Sequence, residues 1–135
     1  MADATAYYQR QQSGLGSVGS YQVSGTPFMT GSTITGTQEV LVTFPGVTRS
    51  ITVINKDAGN DDIRVHFQSK DTARTIAGLH YITLGELNSS VTMNVKCKTV
   101  YLSTPGGDAT FELFAELTGI NPQAMFPLTG SGIDE

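Results

Sequence analysis

From residue 39 to residue 117, apolar side chains recur at every second position in short runs broken by glycine, proline and asparagine, a pattern that admits strands and little else. Val40, Val42 and Phe44 share one face, as do Ile51 and Val53 ahead of Asn55. Ile63, Val65 and Phe67 alternate with Arg64, His66 and Gln68, and His80, Ile82 and Leu84 form a weaker run. Val91, Met93, Val95 and Cys97 alternate with Thr92, Asn94, Lys96 and Lys98. Phe111, Leu113, Ala115 and Leu117 alternate with Thr110, Glu112, Phe114 and Glu116. Each run turns one face to a core and the other to water or a partner.

The breaks carry turn chemistry: Pro45-Gly46, Asp57-Ala58-Gly59-Asn60, Gly85-Glu86-Leu87-Asn88 and Pro105-Gly106-Gly107-Asp108. No helix-length apolar stripe lies between them. The chain is therefore expected to be all-β, an antiparallel β-sandwich of jelly-roll-like or immunoglobulin-like form. After Cys97 the apolar positions shift to Val100 and Leu102, an odd step with no turn residue to absorb it. That step predicts a bulge or corner near Lys98-Thr99, where the chain passes between sheets.

Two unlike segments flank this pattern. Gln11 through Gln38 contains no charged side chain, carries six glycines, and spaces its apolar residues too thinly for a helix or an independent core. Beyond Leu117 the chain reads Gly119-Ile120-Asn121-Pro122-Gln123-Ala124-Met125-Phe126-Pro127, and its prolines bar a central strand. A length of 135 residues suits one domain. The expected organisation is an extended N-terminal arm over 1–36, a β-sandwich over 37–119 and a Pro-interrupted C-terminal tail over 120–135. Fully extended, the arm reaches ~120 Å at ~3.3 Å per residue.

Chemistry-bearing residues are few. A net charge of −4 with no basic stripe argues against nucleic acid as a partner. No apolar run approaches the ~20 residues of a membrane span. The N-terminus has no charged and apolar leader, so synthesis and folding in a cytoplasm are expected, with Cys97 reduced. Cys97 lies on the apolar face of its run, which suits a buried structural thiol. His66 falls on a polar face, which suits a solvated or interface histidine, and no second ligand stands at metal-ligand spacing from it. Asp57–Asp62 is the densest acidic cluster, but it lacks the spacing of a calcium loop and suits a hairpin connection. Glu112 and Glu116 suit a solvated or interface face. Gly14-Leu15-Gly16-Ser17-Val18-Gly19 fits G-x-G-x-x-G, but no strand precedes it and no helix follows. No enzyme activity, cofactor or metal is expected.

The arm segment Tyr21-Gln22-Val23-Ser24-Gly25-Thr26-Pro27-Phe28-Met29-Thr30-Gly31, with Val47–Val53 and Phe111–Ile120, resembles segments of small virion structural proteins of tailed bacteriophages. Within that group the chain is most similar to capsid decoration, or cement, proteins. The resemblance implies a β domain on the outer capsid surface, bound to the major capsid protein and to copies of itself as a homotrimer, with arms reaching neighbours. Tyr7, Tyr8, Arg10, Tyr21 and Phe28 stand out as partner contacts in the otherwise featureless arm, with Met125 and Phe126 in the tail. Two other readings stay open: a carbohydrate- or host-surface-binding module of a fiber or tail, and a head–tail or tail-tube component.

Overall fold

The computed structural model describes residues 26–59, 61–71 and 75–125. Eight strands follow one another: β1 (Thr26–Ile34), β2 (Glu39–Thr43), β3 (Thr48–Asn55), β4 (Ile63–His66), β5 (Ile82–Leu84), β6 (Ser90–Met93), β7 (Thr99–Ser103) and β8 (Ala109–Leu117). One 3₁₀ turn, Pro122–Ala124, ends the described chain; Asn121 caps it by accepting from the Gln123 amide. The strands form two antiparallel four-stranded sheets, ordered β1-β8-β3-β6 and β2-β7-β4-β5. Among the described strands, only β4 to β5 stays within one sheet, and every other connection crosses to the opposite one. Eight strands crossing in this order make a jelly-roll sandwich, which settles the choice left open between jelly-roll and immunoglobulin forms.

The alternating runs supply the inner faces. Val53, Ile63, Val65, Val100, Leu102, Phe111 and Leu113 are at most 2% exposed and meet between the sheets. The expected corner falls where β6 of the first sheet gives way to β7 of the second. The run expected to continue through Cys97 leaves the ladder after Met93, so that Cys97 is carried into the core between the sheets.

Three expectations are corrected by non-local pairing. Residues 26–34, assigned to the arm, are an edge strand that pairs along its whole length with β8, from Thr26 opposite Leu117 to Ile34 opposite Ala109. Ile34 is fully buried, so the domain begins within the stretch expected to be arm. Residues 120–125, assigned to the tail, pack on the domain: Ile120 and Met125 bury against Val47, and the Val47 amide donates to the Ile120 carbonyl at 3.1 Å. Gly46 permits that approach, since a Cβ there would stand 3.1 Å from the Thr118 carbonyl. The Asp57–Asp62 loop is not a hairpin but the crossing from β3 to β4.

Removal of residues 1–25 is therefore expected to leave a cooperatively unfolding sandwich. Removal of residues 1–36 takes β1 and Ile34 from it and exposes the edge of β8. Thermal unfolding of both truncations, followed by circular dichroism, should show a sharp transition in the first and none in the second. A second test concerns Asn55, fully buried at the end of β3. Its amide donates to the Asp61 and Leu84 carbonyls, both at 2.9 Å, and its oxygen accepts from the Asp57 amide at 2.8 Å. Asn55→Ala is expected to cost about 2–4 kcal/mol in urea denaturation, since it removes three hydrogen bonds and leaves the Leu84 carbonyl buried without its donor.

Candidate interaction surface

The outward face of the first sheet is open. Register sets its rows: Met29 lies opposite Phe114, which lies opposite Thr52, which lies opposite Thr92. The next row runs from Gly31 through Glu112 and Ile54 to Ser90. Met29 is 73% exposed and Phe114 37%, and with Ile54 they interrupt a face otherwise built mainly of threonine, serine and glutamate. Between these side chains lies an open hollow of about 410 Å³, lined by Met29, Gly31, Ile54, Glu112 and Phe114 among others. Gly31 leaves bare backbone there because a Cβ would stand 3.0 Å from the Phe111 carbonyl, tighter than almost any real side chain accepts. Glu112 is exposed at the rim and forms no ion pair with a described residue. Glu116, further along β8, is already engaged: it accepts from the Ser50 hydroxyl at 3.0 Å and faces the Arg49 guanidinium at 3.6 Å.

The corresponding face of the second sheet is partly covered. The connection leaving β4 folds over it, held by Glu39, which accepts from the Ser69 hydroxyl at 2.7 Å and the Lys70 amide at 2.8 Å. Beneath it His66 is 1% exposed, stacked on Tyr101 with ring centroids 5.9 Å apart. The expectation of a solvated or interface His66 is therefore corrected. The residue does point outward from β4, but its own downstream chain covers it. The Gln68 carbonyl can only accept, so the Nδ1–H donates to it at 2.6 Å, and Nε2 accepts from the Ser103 hydroxyl at 2.8 Å. Ser103 is also 2% exposed, so this pair is a buried bridge between β4 and β7 with no approach for a substrate.

Cys97 is buried, and burial pushes its thiol above the ordinary range, against the smaller opposing effect of its hydrogen bond with Thr48. That is the state of a structural thiol rather than a nucleophile. Asp57 is spent on its own loop, accepting from the Asp61 amide at 3.0 Å. Among the described residues, no group of three or more His, Cys, Asp or Glu side chains could hold a metal ion. No described helix is long and apolar enough to cross a membrane.

Of the residues singled out as partner contacts, Phe28 packs edge-on against Phe44 at 5.3 Å, at the margin of the core, and its neighbour Met29 is the side chain β1 offers outward. Met125 is 5% exposed within its own domain, and its carbonyl accepts from Lys98 Nζ at 3.0 Å. The sequence expectation is corrected for Met125, whose side chain is spent inside the molecule, whereas Phe28 is half-buried and keeps part of its ring on the surface. Tyr7, Tyr8, Arg10, Tyr21 and Phe126 lie outside the described residues, as does the Gly14–Gly19 match. Met29, Gly31 and Ile54 were missed as surface residues. Ile54 sits on the polar phase of β3, a signal that alternation alone could have flagged.

No family model matches this sequence, and no curated protein matches it. Solved structures similar in fold include a cupin superfamily protein from Desulfitobacterium hafniense, at 8% identity, TM-score 0.44, with 67% of this chain and 67% of that chain covered. The Cupin_2 domain of an XRE family transcriptional regulator from Enterobacter cloacae is similar at 6% identity and TM-score 0.46, covering 67% of this chain and 80% of the other. An HTH_3 family transcriptional regulator from Vibrio cholerae is similar at 9% identity and TM-score 0.44, over 67% of this chain. The match spans 42% of that regulator's length. The architecture is a jelly-roll sandwich with one open sheet face.

Burial disfavours the charged form of His66 and lowers its pKa, against smaller raising contributions from the Gln68 carbonyl and Glu39; Arg64 lowers it further. A pKa below the unfolded value of about 6.5 means that the fold prefers the neutral ring. The stability this brings is complete above that value and is lost as pH falls below it toward the folded pKa. Urea midpoints of the native protein should therefore drop between pH 7 and pH 5. His66→Gln should flatten that part of the pH dependence.

Proposed function

We propose that this protein is a non-enzymatic virion structural protein, a capsid decoration protein that binds the outer capsid surface alongside copies of itself. The observation that carries the reading is the open face of the first sheet, with exposed Met29 and Phe114 around an apolar hollow, directly beside the edge strand β1. Exposed apolar surface of this kind marks association. An edge strand offers unpaired backbone groups to a partner strand. The 25 residues ahead of β1 carry no charge from Gln11 onward, so burying them between subunits desolvates few ions. Many weak contacts repeated over a shell give avidity that no single one supplies. The resemblance of the Tyr21–Gly31, Val47–Val53 and Phe111–Ile120 segments to phage virion proteins supports the same reading.

The test is stoichiometry. Quantitative mass spectrometry of purified particles should find hundreds of copies per particle, the count a symmetric shell demands. About a dozen copies or fewer would overturn decoration in favour of a connector or fiber component. In reconstitution, protein lacking residues 1–25 should fold normally yet bind particles far more weakly than the full chain.

A further inference from the structure

The hollow on the first sheet has a particular shape and polarity. Phe114 and Glu112 stand two residues apart on β8 and point the same way, so an apolar wall and a carboxylate lie one strand repeat apart. A complementary segment needs an aromatic ring and a cation at the same i, i+2 spacing on an extended chain. The sequence contains such a segment. In Tyr7-Tyr8-Gln9-Arg10, Tyr8 and Arg10 have that spacing, and Arg10 is the only lysine or arginine before Arg49. The tether is sufficient. Residues 11–25 separate Arg10 from Thr26 and span up to ~50 Å at ~3.3 Å each. Met29 and Gly31 lie only three to five residues into β1, ~10–17 Å along the strand. Glycine- and serine-rich linkers of such a length give an effective concentration of about millimolar.

We propose that residues 7–10 fold back onto the open face of their own domain, with the Tyr8 ring in the hollow against Phe114 and the Arg10 guanidinium at Glu112. The contact covers Met29, the most exposed of the large apolar side chains among the described residues. One ring and one exposed ion pair make it weak, so the same segment can leave for a neighbour. Such a fold-back belongs to the chain itself, wherever the protein is used.

Disulfide trapping in the full-length chain tests it. Tyr8→Cys combined with Met29→Cys is compared with Tyr8→Cys combined with Leu41→Cys, since Leu41 is 49% exposed on the outward face of the second sheet. Buried Cys97 stays in place in both. Under mild oxidation, mass spectrometry and non-reducing gels should show the intramolecular link between positions 8 and 29 forming about tenfold faster than the control link. Adding Glu112→Lys should slow it about two- to fivefold, and adding Arg10→Glu as well should restore the rate. Equal rates for the two pairs, indifference to the charge reversals, or links mainly between molecules at low concentration would each overturn the proposal. None of these outcomes changes the copy number on particles, so the two readings fail separately.

Discussion

Strand β3 holds the sandwich together because both of its ends are closed by a fully buried polar side chain, Thr48 at one and Asn55 at the other. A jelly-roll passes its chain between sheets at almost every connection, and each crossing brings backbone groups off the ladder into places without water. Thr48 meets that demand at the β6–β7 corner, where its hydroxyl donates to the Val95 carbonyl at 2.7 Å and accepts from the Cys97 amide at 3.1 Å. Asn55 meets it at the other end, joining the β3–β4 crossing to the end of β5 through its side chain. Its backbone adds the β5–β6 turn, accepting from Asn88 and donating to Ser89. Asn88 sits at φ 68°, a left-handed conformation that asparagine tolerates better than most side chains. The apolar core between these two closures is interchangeable in kind, whereas the polar closures require a group of fixed geometry.

The two sheets have unequal outward faces for a simple reason. The only connection that stays within a sheet, from β4 to β5, runs from residue 67 to residue 81. Its first residues fold over the second sheet, where they bury His66 and Ser103 and engage Glu39. No described connection does this for the first sheet. Its face therefore keeps Met29 and Phe114 exposed. The asymmetry of the molecule follows from where the chain has length to spare.

Most of the β pattern was legible in the sequence because alternation is local: Ile63-Arg64-Val65 or Phe111-Glu112-Leu113 declares its inner face without knowledge of the rest. Strand β1 was not legible for the converse reason. Its inward positions after Phe28 include Thr30 and Ser32, too polar to announce a buried face, and it becomes a strand only through pairing with β8 some eighty residues away. His66 shows the same limit on the other side. Its outward phase was readable, but its burial depends on the chain that follows. The prolines of the tail correctly exclude a strand, yet they do not reveal that Val47 waits for Ile120 and Met125. The hollow was half legible. Phe114 between two glutamates is visible as an apolar residue on a polar face, but bringing Met29, Gly31 and Ile54 beside it requires the registers of three strands.

Pairing the first described strand with the last fixes where the open face lies. Because β1 lies against β8, Thr26 stands at the margin of the open face rather than on the covered side. β8 carries Leu113 and Ala115 into the core on one face and Glu112 and Phe114 out of it on the other. A change in the packing of its inner residues therefore shifts the outer ones directly, with no intervening loop to absorb it. Gly31 keeps β1 close to β8 there, since a Cβ at that position would stand 3.0 Å from the Phe111 carbonyl. The most exposed apolar surface among the described residues of this sheet is thus built against a strand whose other face is core.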